Sequence, residues 1–131
     1  MDIPLCLELS RQTGRPVQMT MRYAEELLAA PPRHASVIRV QVGVSRDGRL
    51  QAMDVHAVFN GGAYGAFRPN VNFGARVASS YNIPVIRVVA ERVYTNQVRG
   101  GNARAPGAPQ FTFAVESMLD LVARQMGFDP V

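Results

Sequence analysis

The residues with the most chemistry to offer lie close together near the C-terminal end. Arg104 stands inside Gly100-Gly101-Asn102-Ala103-Arg104-Ala105-Pro106-Gly107-Ala108-Pro109, a stretch whose glycines and prolines define a loop rather than a regular element. The loop runs into a helical pattern. It therefore combines fixed backbone amides, the positive end of a helix and one guanidinium, a combination suited to holding an anion or a developing oxyanion. The same residues also suit a structural turn that carries a surface arginine. Chemistry elsewhere is sparse. The two histidines, His34 and His56, are far apart, and the single Cys6 excludes an internal disulfide and a cysteine-cluster metal site. Cys6 lies in an apolar run and reads as a small core residue. No metal ligands are assigned to this chain. Glu25-Glu26 reads as a water-facing pair on a short helix, and no serine–histidine–acid arrangement occurs at a recognisable motif. Gly61-Gly62-Ala63-Tyr64-Gly65-Ala66 has the glycine content of a phosphate cradle. It lacks the strand-to-helix junction and the lysine, so it reads as a strand end where backbones approach closely.

Composition narrows the classes. At 131 residues the chain has the size of a single domain, 1–131, and with 47% apolar and 18% charged residues it can bury a core. No window approaches the roughly 18 unbroken apolar residues of a membrane helix, and the start lacks the basic residues of a secretory signal. The net charge is +4, and all 14 basic residues are arginine. They are scattered from Arg11 to Arg124 rather than gathered into a patch, which argues against nucleic-acid binding. The competing class is nonetheless a stand-alone basic α+β module that binds nucleic acid or a protein partner.

The elements that must position Arg104 are legible in outline. Leu5, Cys6, Leu9 and Gln12 recur at helical spacing and Gly14 ends the helix. Pro16 to Met21 alternates and predicts a short strand; Tyr23 to Ala30 predicts a short helix stopped by Pro31-Pro32. Ile38, Val40, Val42 and Val44, then Met53, Val55, Ala57 and Phe59, alternate with polar residues on either side of Asp47-Gly48. That pattern predicts a long antiparallel hairpin of strands 36–45 and 49–60, with His56 on the polar face. Residues 68–82 form a long connection, and 85–94 a third strand buried for much of its length. Pro109 opens a helix over 110–126 with Phe111, Val115, Met118 and Val122 as its apolar stripe and Gly127 as its stop. The fold class is α+β: a largely antiparallel sheet containing the long hairpin, with helices packed on it.

The motifs in combination resemble a known family. Thr13-Gly14-Arg15-Pro16-Val17, Pro32-Arg33-His34, Asp47-Gly48, Gly62-Ala63-Tyr64, Tyr81-Asn82-Ile83-Pro84-Val85-Ile86-Arg87, Tyr94-Thr95-Asn96, the loop Gly101 to Gln110 and Gly127-Phe128-Asp129-Pro130 follow the order and spacing of the molybdenum hydroxylases. This is the xanthine dehydrogenase, aldehyde oxidase and carbon monoxide dehydrogenase family, and the likeness is to an internal region of its large molybdopterin-binding subunit. The resemblance implies an oxidoreductase that hydroxylates a carbon with oxygen from water. It also implies a molybdenum-molybdopterin cofactor, and iron–sulfur clusters and in many members FAD in partner subunits or domains. The remainder of the large subunit and a small-molecule substrate complete the implied partners. The implied location is cytoplasmic, with periplasmic placement in some branches. The family's substrate-side loop arginine matches Arg104. The catalytic glutamate falls outside the chain, so the isolated chain is expected to be inactive and to have apolar surface that favours self-association. Where the family commonly has an aromatic before the arginine and glycine then an aromatic after it, this chain has Ala103, Ala105 and Pro106, which implies a roomier or differently shaped substrate pocket.

Overall fold

The computed structural model describes residues 2–65 and 80–130. The expected connection over 68–82 lies for the most part outside the described residues. The chain falls into two compact units, Met1–Ala30 and Pro31–Val131.

The first unit holds α1 (Asp2–Thr13) and α2 (Tyr23–Ala29). Gly14 follows α1 in the left-handed region, φ 63°, as a helix terminator does, and Cys6 is a half-buried free thiol. At the start of α2, Arg22 and Glu25 cap each other: the Arg22 amide donates to Glu25 Oε2 at 2.8 Å and the guanidinium donates to Oε1 at 2.9 Å. These bonds hold the Glu25 carboxyl below its ordinary value, the Arg22 side chain contributing most. The strand expected over 16–21 does not form, and the segment is irregular. Alternation specifies which face of a strand is apolar, but a strand also needs a neighbouring strand to take its amides, and the sheet of this protein is built from 36–94 instead.

The second unit is an α+β layer structure, the class expected. Strands β1 (Ser36–Val44) and β2 (Leu50–Gly62) pair antiparallel in register Val40 with Val55. The turn between them closes where the sequence places it. Gly48 takes φ 85°, and its amide donates to the Ser45 carbonyl at 2.9 Å. The Ser45 hydroxyl donates to Asp47 at 2.5 Å, and that bond is the largest reason the Asp47 carboxyl sits below its ordinary value. Strand β3 (Val85–Tyr94) joins the far edge of β2, and there the pairing is parallel, Val55 opposite Val88. The sheet is therefore an antiparallel hairpin with one parallel strand beside it, in the order β1-β2-β3. A parallel neighbour requires a long crossover rather than a tight turn, and the long connection after Gly62 supplies it.

Helix α3 (Ala108–Met126) packs against β1. The core is the layer between the helix and the sheet: Phe111 and Val115 from α3, Met53, Val55, Ala57 and Phe59 from β2, and Val40 from β1. Phe59 and Phe111 meet as a tilted pair, ring centroids 5.6 Å apart at 59°. The period-2 reading of the hairpin and the helical stripe thus meet face to face. Strand β3 departs from expectation in its burial. None of its residues is fully buried, and Val85 and Tyr94 are more than half exposed. It is an edge strand whose Val88 and Ala90 pack against the core, and its remaining apolar run is left half covered among the described residues.

Candidate functional site

Arg104 lies between β3 and α3, in a segment tied to two other parts of the second unit. The first tie is at the end of β2. Asn60 Oδ1 accepts from the Gly62 amide at 2.9 Å and from the Thr95 hydroxyl at 2.7 Å, and its amide nitrogen donates to Gln97. The Ala63 amide donates to the Gln97 carbonyl at 3.0 Å. Gly62 makes this closeness possible. It has φ 70°, and a Cβ there would overlap Val98 and Arg99 backbone atoms. The reading of the glycine run as a close backbone approach is therefore correct, and its partner is the start of the Arg104 loop.

The second tie is to the segment before β1. The Gly101 amide donates to the Pro32 carbonyl at 2.8 Å. His34 is 5% exposed, and its ring lies flat against Gly100: a Cβ at that position would come within 2.6 Å of Nε2. His34 is accordingly a packed residue that defines the floor of the loop. His56, the other histidine, sits on the polar sheet face 3.6 Å from Glu91. The segment before β1 is joined in turn to α3, where Gln110 Nε2 donates to the His34 carbonyl at 3.1 Å.

At the tip, the Arg33 guanidinium crosses to the loop and donates to the carbonyls of Arg104, at 2.7 Å, and Ala105, at 3.4 Å. Ala105 adopts φ 56°, a conformation uncommon for a residue with a Cβ, and its carbonyl also receives the Ala108 amide at 3.1 Å. α3 then starts from Gly107 with no side chain capping its first amides and with proline in its first turn. The Arg104 side chain is exposed and has no ion pair among the described residues. Of the first-turn amides, that of Ala108 is taken by the Ala105 carbonyl, Pro109 has none, and that of Phe111 is taken by the Gly107 carbonyl, which leaves the Gln110 amide; one guanidinium at the positive end of a helix still attracts negative charge. Two buried polar atoms beside this region, His34 Nε2 and Gln110 Oε1, have no partner among the described residues.

The sequence singles out Arg104 and the glycine–proline frame around it. Pro32-Arg33-His34 and Gln110 stand in it only as parts of the motif series, with no role assigned. Asn60 had no local signal beyond ending a strand next to glycine. A cleft of about 540 Å³ lies elsewhere, lined by Leu50, Tyr81, Glu116, Leu119, Met126 and Phe128 among others. It begins at Glu116, about 12 Å along α3 from Ala108 at 1.5 Å per residue, so it is not the surroundings of Arg104. Among the described residues no cluster of three histidine, cysteine or acidic side chains is arranged to hold a metal ion, and no helix is long and apolar enough to cross a membrane.

Comparison with known proteins gives this arrangement its context. The chain is 34% identical over 96% of its length to the nicotinate dehydrogenase large molybdopterin subunit of Eubacterium barkeri, and 39% identical over 93% to a putative xanthine dehydrogenase molybdenum-binding subunit of Escherichia coli. It spans 30% and 16% of those two proteins. The structure superposes on aldehyde oxidoreductase from Desulfovibrio gigas with a TM-score of 0.74 at 31% identity, covering 98% of this chain and 14% of that one. A profile of the molybdopterin cofactor-binding domain matches residues 2–131, the whole chain but its first residue. The chain belongs to the molybdopterin cofactor-binding domain family.

Proposed function

We propose that this chain acts as part of the molybdopterin-binding subunit of a molybdenum hydroxylase, an oxidoreductase that inserts oxygen from water into an electron-poor carbon of a small molecule. The observation that carries the reading is the Arg104 loop, a guanidinium exposed on a segment held at Asn60, Pro32 and Arg33. The residues present fit one side of a pterin-bound metal centre. The positive N-terminal end of α3 suits an anionic or carbonyl oxygen, and His34 Nε2 and Gln110 Oε1 are unsatisfied polar atoms of the kind a heterocycle with donors and acceptors can meet.

When bound, the cofactor supplies the redox chemistry and the oxygen transfer. This chain's contribution is orientation and charge. As oxygen adds to the substrate carbon, negative charge grows on the substrate heteroatoms, and Arg104 offsets it without a change of backbone. That is the condition under which a donor favours the transition state over the ground state. Ala103 and Pro106, which stand where the family commonly has aromatics, leave space for a substrate broader than, or shaped differently from, a flat purine held between aromatics. The base that activates the attacking water, the iron–sulfur clusters and a flavin belong in this reading to other parts of the subunit or to partner subunits, in the cytoplasm or, for some branches, the periplasm.

The test is direct. The intact protein that carries these residues is isolated and analysed for molybdenum, then turned over in isotopically labelled water. One molybdenum per subunit and label in the hydroxylated product are expected. Label arriving only from dioxygen, or a pure protein with nucleic-acid affinity and no molybdenum on maturation, would sink the reading.

A further inference from the structure

We propose that Arg33 is a positioning residue for Arg104, the clamp that sets the turn from which the Arg104 side chain departs. The proposal rests on the reading of Arg104 as a substrate-side cation. The residues on either side of Arg33 are anchored, one to the start of the loop and one to the start of α3. The Pro32 carbonyl takes the Gly101 amide at 2.8 Å, and the His34 carbonyl takes Gln110 Nε2 at 3.1 Å. The His34 ring is buried against Gly100. The Arg33 backbone therefore moves only if the start of the loop and the start of α3 move with it.

From that base the planar guanidinium places two N–H groups on successive carbonyls, Arg104 at 2.7 Å and Ala105 at 3.4 Å. Two donors in a rigid fork on neighbouring carbonyls fix the orientation of both peptide planes, which a single point donor cannot do. They grip the peptide on either side of the Ala105 φ of 56°. A left-handed alanine relaxes unless its surroundings hold it, and here the holding group is a charged side chain of a distant segment. The same carbonyl of Ala105 receives the Ala108 amide, so the clamp also sets where α3 begins. A second positive charge on the backbone side of the turn further disfavours folding of the Arg104 guanidinium back onto its own carbonyls.

The proposal is tested in the intact molybdenum-loaded protein with Arg33→Ala, Arg33→Lys, Arg104→Ala and the Arg33→Ala/Arg104→Ala double variant, at matched molybdenum content. Arg33→Ala is expected to lower kcat about ten- to thirtyfold with KM changed less than about threefold, an effect of positioning rather than of uniform binding. Arg33→Lys is expected to fall between Arg33→Ala and the parent. In the Arg104→Ala background, removal of Arg33 is expected to add less than about threefold, because two residues acting through one group are not additive. Hydrogen exchange read on peptides spanning 101–108 supplies a measure independent of turnover, and the loop amides are expected to exchange faster in Arg33→Ala. An unchanged kcat in Arg33→Ala beside a crippled Arg104→Ala overturns the clamp and leaves the Arg104 reading standing. Fully multiplicative losses in the double variant overturn the clamp as well. A harmless Arg104→Ala removes the Arg104 reading itself, whatever Arg33→Ala does to exchange. If Arg33→Ala is poorly folded, Arg33→Lys decides alone: parent-like kcat and loop exchange overturn the clamp.

Discussion

Arg104 is exposed, yet its backbone is held, through Arg33 and through the Ala105 turn. Little reorganisation is then needed when charge develops nearby, and removing one such preorganised donor typically costs about 2.7–4 kcal/mol, roughly a hundred- to thousandfold in rate. Arg104→Ala in the intact enzyme is expected to lose that factor in kcat/KM with cofactor content unchanged, and Arg104→Lys to recover only part of it. Steady-state kinetics at matched molybdenum loading checks both, and a change under about threefold would leave Arg104 a structural loop residue. A second residue-scale effect is independent of catalysis. The Tyr81 hydroxyl donates to the Glu116 carboxylate at 2.5 Å, and this bond, with lesser help from burial and charge, pushes Tyr81 from 10.0 up to about 12. The phenol is stabilised in its protonated form by folding. The contribution is therefore complete below pH 10 and lost as pH rises through about 12. Ultraviolet titration of the tyrosines should show one late phase, absent in Tyr81→Phe and moved back toward 10 in Glu116→Gln. A late phase that persists in Tyr81→Phe would assign it to another tyrosine.

The hairpin and α3 meet through few side chains, so each carries much of the element packing. Phe111 is fully buried at the first turn of α3 and tilted against Phe59 of β2. Phe111→Ala should cost about 3–5 kcal/mol, as large-to-small substitutions in a close-packed site do, measured by urea unfolding of the second unit's tertiary signal. Phe113, two residues on and 77% exposed, should tolerate alanine with a change within about 0.5 kcal/mol. Both elements were readable from periodicity, since the alternation from Ile38 to Phe59 and the stripe from Phe111 to Val122 report one buried face each. The Asp47-Gly48 turn and the Gly127 stop were readable from local chemistry, because a φ of 85° and one of 77° are positions glycine takes readily. The alternating segment 16–21 and the burial of β3 were not. A strand's existence depends on a neighbouring edge and its burial on a covering layer, and neither is a local property.

At the scale of the whole molecule, the chain carries more apolar surface than its own core covers. Val98, Phe113 and Leu121 of the second unit are 73%, 77% and 61% exposed, and Leu5, Leu7 and Leu28 of the first are each more than half exposed. Exposed apolar groups in this number mark surfaces that pack against something else, and the chain spans 30% or less of the relatives compared above. Expressed alone, it should associate with rising concentration in analytical ultracentrifugation, and metal analysis should find no stoichiometric molybdenum, since a pterin site draws contacts from several segments. A monodisperse monomer that loads molybdenum and hydroxylates would refute the proposal that the rest of a subunit is required. The sequence by itself determined the α+β class, the hairpin and its turn, the final helix, and, through its ordered motifs, the family to which Arg104 owes its proposed role. These follow from periodicity, turn chemistry and motif spacing, all of which act within a few residues. The tertiary structure alone decided that β3 lies parallel beside β2, that Gly62 admits the backbone of Val98 and Arg99, and that Arg33 reaches the carbonyls of Arg104 and Ala105. Each of these joins segments distant in sequence, and the partner of a backbone amide or a guanidinium is chosen by what the folded chain brings within about 3 Å, which no local pattern encodes.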